Sequence, residues 1–171
     1  MHIRHMSVLA SWKYRKISSY FANIGKRIVK SPKVYFRDTG LLHYFLGIHE
    51  SGSLPVHPAR GTSWEGFVIE QVISAFQLLS PGSEAFYWRT AAGAEVDLLI
   101  KRGERLIPLE IKLHSSPSGR DVPGLVSCMK DLKLDSGYVL YPGEEDYSIG
   151  QGITVLSTEK LLAQPQRFIK L

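Results

Sequence analysis

Asp97, Glu110 and Lys112 are the residues whose types and spacing are best suited to chemistry, and one short hairpin carries all three. Glu95-Val96-Asp97-Leu98-Leu99-Ile100 and Leu106-Ile107-Pro108-Leu109-Glu110-Ile111-Lys112 read as two strands. Gly103-Glu104 between them is a Gly-X pair that suits a tight two-residue turn. That register sets Lys101 opposite Leu106, Asp97 opposite Glu110 and Glu95 opposite Lys112. Strand side chains alternate faces, so Glu110 and Lys112 point one way and Leu109 and Ile111 the other. A β-bulge in the hairpin would shift the pairing by one residue. Directly opposed carboxylates have Cβ atoms roughly 5 Å apart and repel, so they need a shared proton or a bound cation. Oxygen ligands so placed suit a hard divalent ion, Mg2+ first among those in a cell. Lys112 would then steady an anionic substrate or help a water to attack. The plainer alternative is a salt-bridged, half-exposed hairpin in which Lys112 neutralises Glu95 or Glu110.

The elements around the hairpin must position it. Trp64, Phe67, Val68, Val72, Ala75, Phe76 and Leu79 recur at helical spacing and predict a helix over about residues 62–79, its apolar stripe turned to the core. Glu65 sits on the edge of that stripe, beside Val68, Ile69 and Val72, which makes it the carboxylate better placed to reach a neighbouring sheet. Glu70 lies about 140° further round the helix, next to Ser74 and Gln77. Thr62-Ser63-Trp64-Glu65 also matches a capping box, and capping is compatible with a role near the site. Downstream, the pattern predicts strands over 85–89, 136–141 and 153–156, a polar loop over 115–123, and a helix over 122–132. Ser157 caps a last helix over 159–163.

Upstream, residues 17–36 read as two extended runs around Asn23-Ile24-Gly25-Lys26, a hairpin. Asp38 or Thr39 caps a short helix that ends at Gly47. Residues 1–6 show no periodicity, and residues 49–61, rich in Gly, Pro, Ser and His, read as a loop or linker. His43, His49 and His57 lack metal-ligand spacing and read as solvated or capping. The succession of helix, three strands, helix and strand fits the α/β class, a mixed β-sheet flanked by helices. It divides into a basic N-terminal segment over 1–48, with a hairpin and a short helix, and a second domain over 62–171.

The 171 residues and 44% hydrophobic content suit a chain that buries a proper core. No apolar run approaches the roughly 20 residues that span a bilayer, and no signal-peptide pattern opens the chain. The single Cys128, set in Val126-Ser127-Cys128-Met129, reads as a buried helical position; it excludes an internal disulfide and a Cys cluster for zinc. These features point to the cytoplasm and away from a membrane.

Charge is unevenly spread. Residues 1–37 hold nine Lys or Arg and no acidic residue, so the formal +5 divides into +9 in front and −4 behind. Trp12, Tyr14, Tyr20, Phe21, Tyr35 and Phe36 interleave the basic residues. Such a segment, with Lys26, Arg27, Lys30 and Lys33 at its centre, can neutralise phosphates and stack on bases. It equally suits a solvated face or a surface that docks an acidic partner.

A helix with Glu65, then Asp97 on one strand and Glu110-Ile111-Lys112 on the next, resembles the PD-(D/E)XK nuclease superfamily, which includes restriction endonucleases and Holliday-junction resolvases. Val96 stands where the motif's Pro would be. Ser31-Pro32-Lys33-Val34-Tyr35-Phe36-Arg37-Asp38-Thr39-Gly40-Leu41-Leu42 is similar to the C-terminal domain of unknown function of many prokaryotic AAA-type ATPases. So are Trp64-Glu65, Tyr87-Trp88-Arg89 and Gly93-Ala94-Glu95-Val96-Asp97-Leu98-Leu99-Ile100. In those proteins an ATPase domain and a winged-helix segment usually precede this region, and the domain is similar to the nuclease fold.

The resemblance implies a restriction-endonuclease-like fold and metal-dependent hydrolysis of DNA. Asp97 and Glu110 would hold Mg2+ or Mn2+, with the Ile111 carbonyl as a further ligand. Lys112 would orient water or offset developing charge, and Glu65 would bind a second metal or position water. It leaves open a non-catalytic module that binds nucleic acid or docks on an ATPase partner. No G-x-x-x-x-G-K-S/T loop is present, since Asn23-Ile24-Gly25-Lys26-Arg27 lacks the leading Gly and the Ser/Thr. ATP hydrolysis by this chain alone is therefore not expected. The chain reads as a truncated homologue, a fragment or a stand-alone version, of unstated oligomeric state.

Overall fold

The structure, a computed structural model, describes residues 12–20, 31–50 and 52–171. Strands β1 (Tyr14–Ser19) and β2 (Lys33–Phe36) come first, followed by helices α1 (Thr39–Phe45) and α2 (Arg60–Leu79). Three strands then run in succession, β3 (Glu84–Arg89), β4 (Glu95–Arg102) and β5 (Arg105–Ile111). Helix α3 (Pro123–Leu132), β6 (Gly137–Tyr141), β7 (Tyr147–Gly150), β8 (Ile153–Ser157) and α4 (Thr158–Ala163) complete the order. The strands form one mixed sheet of eight, in the order β2-β1-β3-β4-β5-β6-β8-β7. Pairing is antiparallel at β1–β2, β3–β4, β4–β5 and β7–β8, and parallel at β1–β3, β5–β6 and β6–β8.

Helices cover both faces, as the burial pattern of β4 and β5 requires. The stripe of α2, with Val68, Ile69, Val72, Ile73 and Phe76, buries against Leu98, Ile100, Ile107, Leu109 and Ile111. On the other face Leu125, Cys128 and Met129 of α3 meet Trp88, Val96, Val139 and Val155. Cys128 is wholly buried there, and burial pushes its thiol pKa well up. Among the described residues no helix is long and apolar enough to cross a membrane.

The expected register of the central hairpin is present from Leu98–Leu109 through Lys101–Leu106 to Arg102–Arg105. The turn is Gly103-Glu104, and Gly103 takes φ +59°, where a side chain would be strained. The irregularity lies on the other side of β4. Phe86 pairs with Leu99 and Trp88 with Val96, so β4 holds one more residue than β3 across this stretch. That bulge reverses the alternation around Asp97: Val96 packs on the α3 side, whereas Leu98 packs on the α2 side.

One local expectation needs correction, and two further elements lie outside the sequence reading. Helix α2 begins at Arg60 after Ala59, with no side-chain cap, so Thr62-Ser63-Trp64-Glu65 is not a capping box. Those residues lie inside the helix, and the Glu65 carboxylate is engaged by Tyr35 and Lys33 instead. Strand β7 was not foreseen; it is a short edge strand whose signal is the Gly150-Gln151-Gly152 turn, with positive φ at all three residues. The C-terminal 3-10 turn Pro165–Lys170 was also missed, although its Phe168 closes the core against Phe76. Asp38, by contrast, caps α1 as expected, accepting from the Leu41 N–H at 3.1 Å. His57 Nδ1 accepts from the Ala59 N–H just ahead of α2.

The basic N-terminal strands, joined to the sheet by the β1–β3 pairing, are fastened to α2 by ion pairs the sequence did not reveal. Arg15 Nε and Nη2 donate to the two Glu70 oxygens at 2.8 Å, and Arg37 Nε donates to Glu70 Oε1 at 2.8 Å. Glu70 is thus a buried anchor for β1 and for the end of β2. Lys26, Arg27, Lys30 and the expected turn at residues 23–26 lie outside the described residues.

Candidate active site

The site assembles where β2, α2 and the β4–β5 hairpin meet. On α2, Gly66 lets the Tyr35 ring lie against the helix; a Cβ at 66 would stand 3.3 Å from Tyr35 Cδ1. Tyr35 then donates its hydroxyl to Glu65 Oε1 at 2.5 Å. Lys33, two residues earlier, shares that face of β2 and extends its ammonium into a group of carboxylates. Lys33 Nζ lies 3.4 Å from Glu65 Oε1 and 3.5 Å from Asp97 Oδ1, and forms an ion pair with Glu95 Oε1. The Tyr87 ring lies beneath it, with its centroid 5.6 Å away.

The hairpin supplies the other groups. Asp97, at the bulge, accepts the Ile111 N–H on Oδ2 at 2.9 Å, which ties β4 to β5 just past the Leu98–Leu109 pair. Glu110 Oε1 accepts from Lys112 Nζ at 2.7 Å. Lys112 is itself fixed through its backbone: its N–H donates to the Leu140 carbonyl, and its carbonyl accepts from Trp64 Nε1 at 3.2 Å. One face of α2 therefore presents Glu65 to the cluster and braces Lys112 through Trp64. Of the two partners open to Lys112, the structure selects Glu110; Glu95 pairs instead with Lys33 and, at 3.2 Å, with Arg89. Gly124 at the start of α3 allows the helix to approach this end of β4, because a Cβ there would overlap the Glu95 carbonyl.

Burial and crowding set the electrostatics. Burial pushes Asp97 above the usual carboxylate range, and the Glu65 charge adds to it, against the opposing pull of Lys33, the Ile111 N–H and Lys112. Glu110 is pushed up to about 7, by burial first and then by the Asp97 charge, with Lys112 opposing. Burial alone would lower both lysines, but the carboxylates around them more than reverse this and raise them. Burial and the bond to Glu65 push the Tyr35 phenol up, so it stays a donor. Glu110 Oε2 is buried and has no hydrogen-bond partner among the described residues, a costly state for a carboxylate oxygen unless a cation or proton meets it.

The structure thus brings together Glu65, Asp97, Glu110 and Lys112, and adds Lys33, Tyr35 and Glu95 to them. Lys33, expected among the phosphate contacts, is engaged by carboxylates and is about four-fifths buried. The strand alternation Lys33-Val34-Tyr35 was the available signal that both side chains face one way. Nothing local indicated that this face meets Glu65. Among the described residues no group of three or more His, Cys, Asp and Glu side chains is arranged to hold a metal ion unaided. Asp97 and Glu110, with the unpartnered oxygen of Glu110, fit the sparser donor set of Mg2+, which binds one or two carboxylates and keeps several waters.

Two family profiles match the chain. One, described as a domain of unknown function (DUF8612), covers residues 8–52, and another, described as a domain of unknown function (DUF4143), covers residues 60–161. The composite site draws on both, since Lys33 and Tyr35 come from the first region and the four carboxylates and Lys112 from the second. An uncharacterized protein of Mycobacterium tuberculosis and one of Mycobacterium bovis are each 40% identical over 148 residues, 86% of this chain. The chain spans 32% of the length of these curated relatives. No solved structure matches it. With a profile match over residues 60–161, more than half its length, the chain belongs to the DUF4143 family, a domain of unknown function.

Proposed function

We propose that this protein hydrolyses phosphodiester bonds in DNA with the help of Mg2+ or Mn2+, on a core akin to the PD-(D/E)XK nucleases and their restriction-endonuclease-like fold. The observation that carries this reading is the grouping of charge in which Asp97 feels Glu65 and Lys112, Glu110 feels Asp97 and Lys112, and one buried Glu110 oxygen lacks a partner among the described residues. Asp97 and Glu110 would hold the divalent ion, with the Ile111 carbonyl as a further donor. Once bound, such an ion supplies Lewis acidity toward water and the scissile phosphate. Lys112, steadied by Glu110 and by the Trp64 bond to its carbonyl, holds its charge where a phosphoryl oxygen gains negative charge. Glu65, aimed by Tyr35, orients water on the α2 side.

Incubation of plasmid, linear and branched DNA with Mg2+ or Mn2+, wild type against Asp97→Ala, tests the reading. Metal-dependent cutting that vanishes in Asp97→Ala supports it; no cutting by folded wild type sinks it.

A second reading has its own observation. Lys33 already stands among Glu65, Glu95 and Asp97, as a permanent cation would in a fold that has lost turnover. On that reading the protein is a non-catalytic module that binds nucleic acid or docks on an ATPase partner. The similarity to C-terminal domains of prokaryotic AAA-type ATPases supports the ATPase alternative. DNA or partner binding that ignores EDTA, without cutting, would favour it.

A further inference from the structure

We propose that Lys33 is a tethered counter-cation lent to the carboxylate site by the N-terminal hairpin, and that a divalent ion enters by displacing its ammonium. The inference rests on the reading that the site takes a divalent ion, and goes beyond it by naming what guards entry.

Among the described residues Lys33 is the one cation within 4 Å of Glu65 or of Asp97. Lys112 is engaged with Glu110, and Arg89 reaches only Glu95. The Lys33 contacts at 3.4 and 3.5 Å are longer than the 2.7–2.9 Å of a committed charge-assisted bond. The ammonium therefore spans the carboxylates, bound closely by Glu95 alone, and its hold on Asp97 is loose. Asp97 has Oδ2 occupied by the Ile111 N–H and shares Oδ1 with Lys33, so a divalent ion that takes Asp97 contends with Lys33 for the same carboxylate. Glu110 Oε2, buried and unpartnered, marks independently where added positive charge is lacking. Glu110 is 91% buried, which keeps solvent from making good that lack.

The hairpin is built to carry such a tether. Tyr35 seats on Gly66 and bonds Glu65, while Arg15 and Arg37 fasten the same strands to Glu70. Lys33 lies at the first position of β2, beyond these anchors, so its side chain can withdraw without loss of the hairpin. The region matched by one family profile thereby controls a site framed by the other.

Titration calorimetry of the full chain with Mn2+ or Mg2+ alone, without DNA, tests the proposal. Lys33→Met, which keeps the aliphatic stem, is expected to bind Mn2+ at least about ten-fold more tightly than wild type, and Lys33→Arg to bind like wild type. Equal affinity in wild type and Lys33→Met overturns the tether but leaves the divalent site intact. Binding by neither overturns both. Because Lys33→Met leaves carboxylates facing one another and could fail to fold, covalent labelling of wild-type lysines with an amine-acylating reagent supplies a second reading. The Lys33 amine is about four-fifths buried, so saturating Mn2+ should speed its labelling several-fold; unchanged or slower labelling at Lys33 overturns the tether.

Discussion

Glu65 and Glu70 stand five residues apart on one helix, and their surroundings are opposite in charge balance. Glu70 is a single carboxylate held by two guanidinium groups and the Ser74 hydroxyl. Burial by itself would raise its pKa, but Arg15 and Arg37 more than reverse this and hold it below the usual range. Glu65 shares one ammonium with Glu95 and Asp97, and behind them Glu110 keeps an oxygen without a partner. Positive charge is in excess where the hairpin is fastened and in deficit where the carboxylates gather. The first arrangement is complete within the chain; the second gains from a cation supplied from outside. Only the second is suited to chemistry.

The largest effect that would break this contrast is on cleavage. On the proposed nuclease reading, Lys112→Ala, which removes the ammonium bonded to Glu110, should lower the DNA cleavage rate by roughly 10²–10³-fold, with the far-UV spectrum unchanged. Cleavage at the wild-type rate would remove Lys112 from its role.

Next comes stability at the anchor. Glu70→Gln leaves two part-buried guanidinium groups without a counter-charge and should cost about 3 kcal/mol in urea unfolding, while Mn2+ affinity stays unchanged. If Mn2+ affinity fell with it, anchor and site would not be separate.

The two regions should also divide on the pH axis. The Glu110 pKa is raised in the fold from the ordinary 4.5 to about 7, so the folded state holds the extra proton. Its contribution is full below pH 4.5 and is lost as pH rises toward 7, at most about 3 kcal/mol. Glu70, with its pKa lowered, contributes above its ordinary value of 4.5 and loses that contribution as pH falls through its folded pKa. Thermal melts of metal-free Glu110→Gln should therefore lack the decline between pH 4.5 and 7, and those of Glu70→Gln should lack the acid-side loss. Identical pH profiles for the two variants would contradict the division.

The smallest effect sharpens the support for Lys112. Trp64→Phe deletes the bond to the Lys112 carbonyl and should cost about 1 kcal/mol in stability. Cleavage should fall more than that loss of folded protein explains, because Lys112 loses its brace.

Much of the local structure was legible. The β4–β5 hairpin, its Gly103-Glu104 turn and its register followed from alternation and turn chemistry. The α2 stripe, the Asp38 cap and the buried Cys128 followed from spacing. The capping-box reading of Glu65 failed because a four-residue match says nothing of where the preceding turn starts, and Arg60 had already entered the helix. The bulge at Asp97 was invisible since it depends on how β3 meets β4, and each strand taken alone has regular alternation.

The amino-acid sequence by itself determined which residues could do chemistry, because turns, strand alternation and helical periodicity are relations among near neighbours. Asp97, Glu110 and Lys112 lie within one hairpin, so their proximity was written locally. Tertiary structure alone decided how their charges are met. Lys33 reaches Asp97 across 64 positions of sequence, and Arg15 reaches Glu70 across 55. A basic segment that looked free to meet phosphate thus has three of its described cations engaged by carboxylates. No composition or spacing encodes that outcome, since it arises when β1 pairs with β3 and carries the hairpin onto the face of α2. Burial there makes each unmatched charge costly, and so separates the closed ion pair at Glu70 from the open one at Asp97.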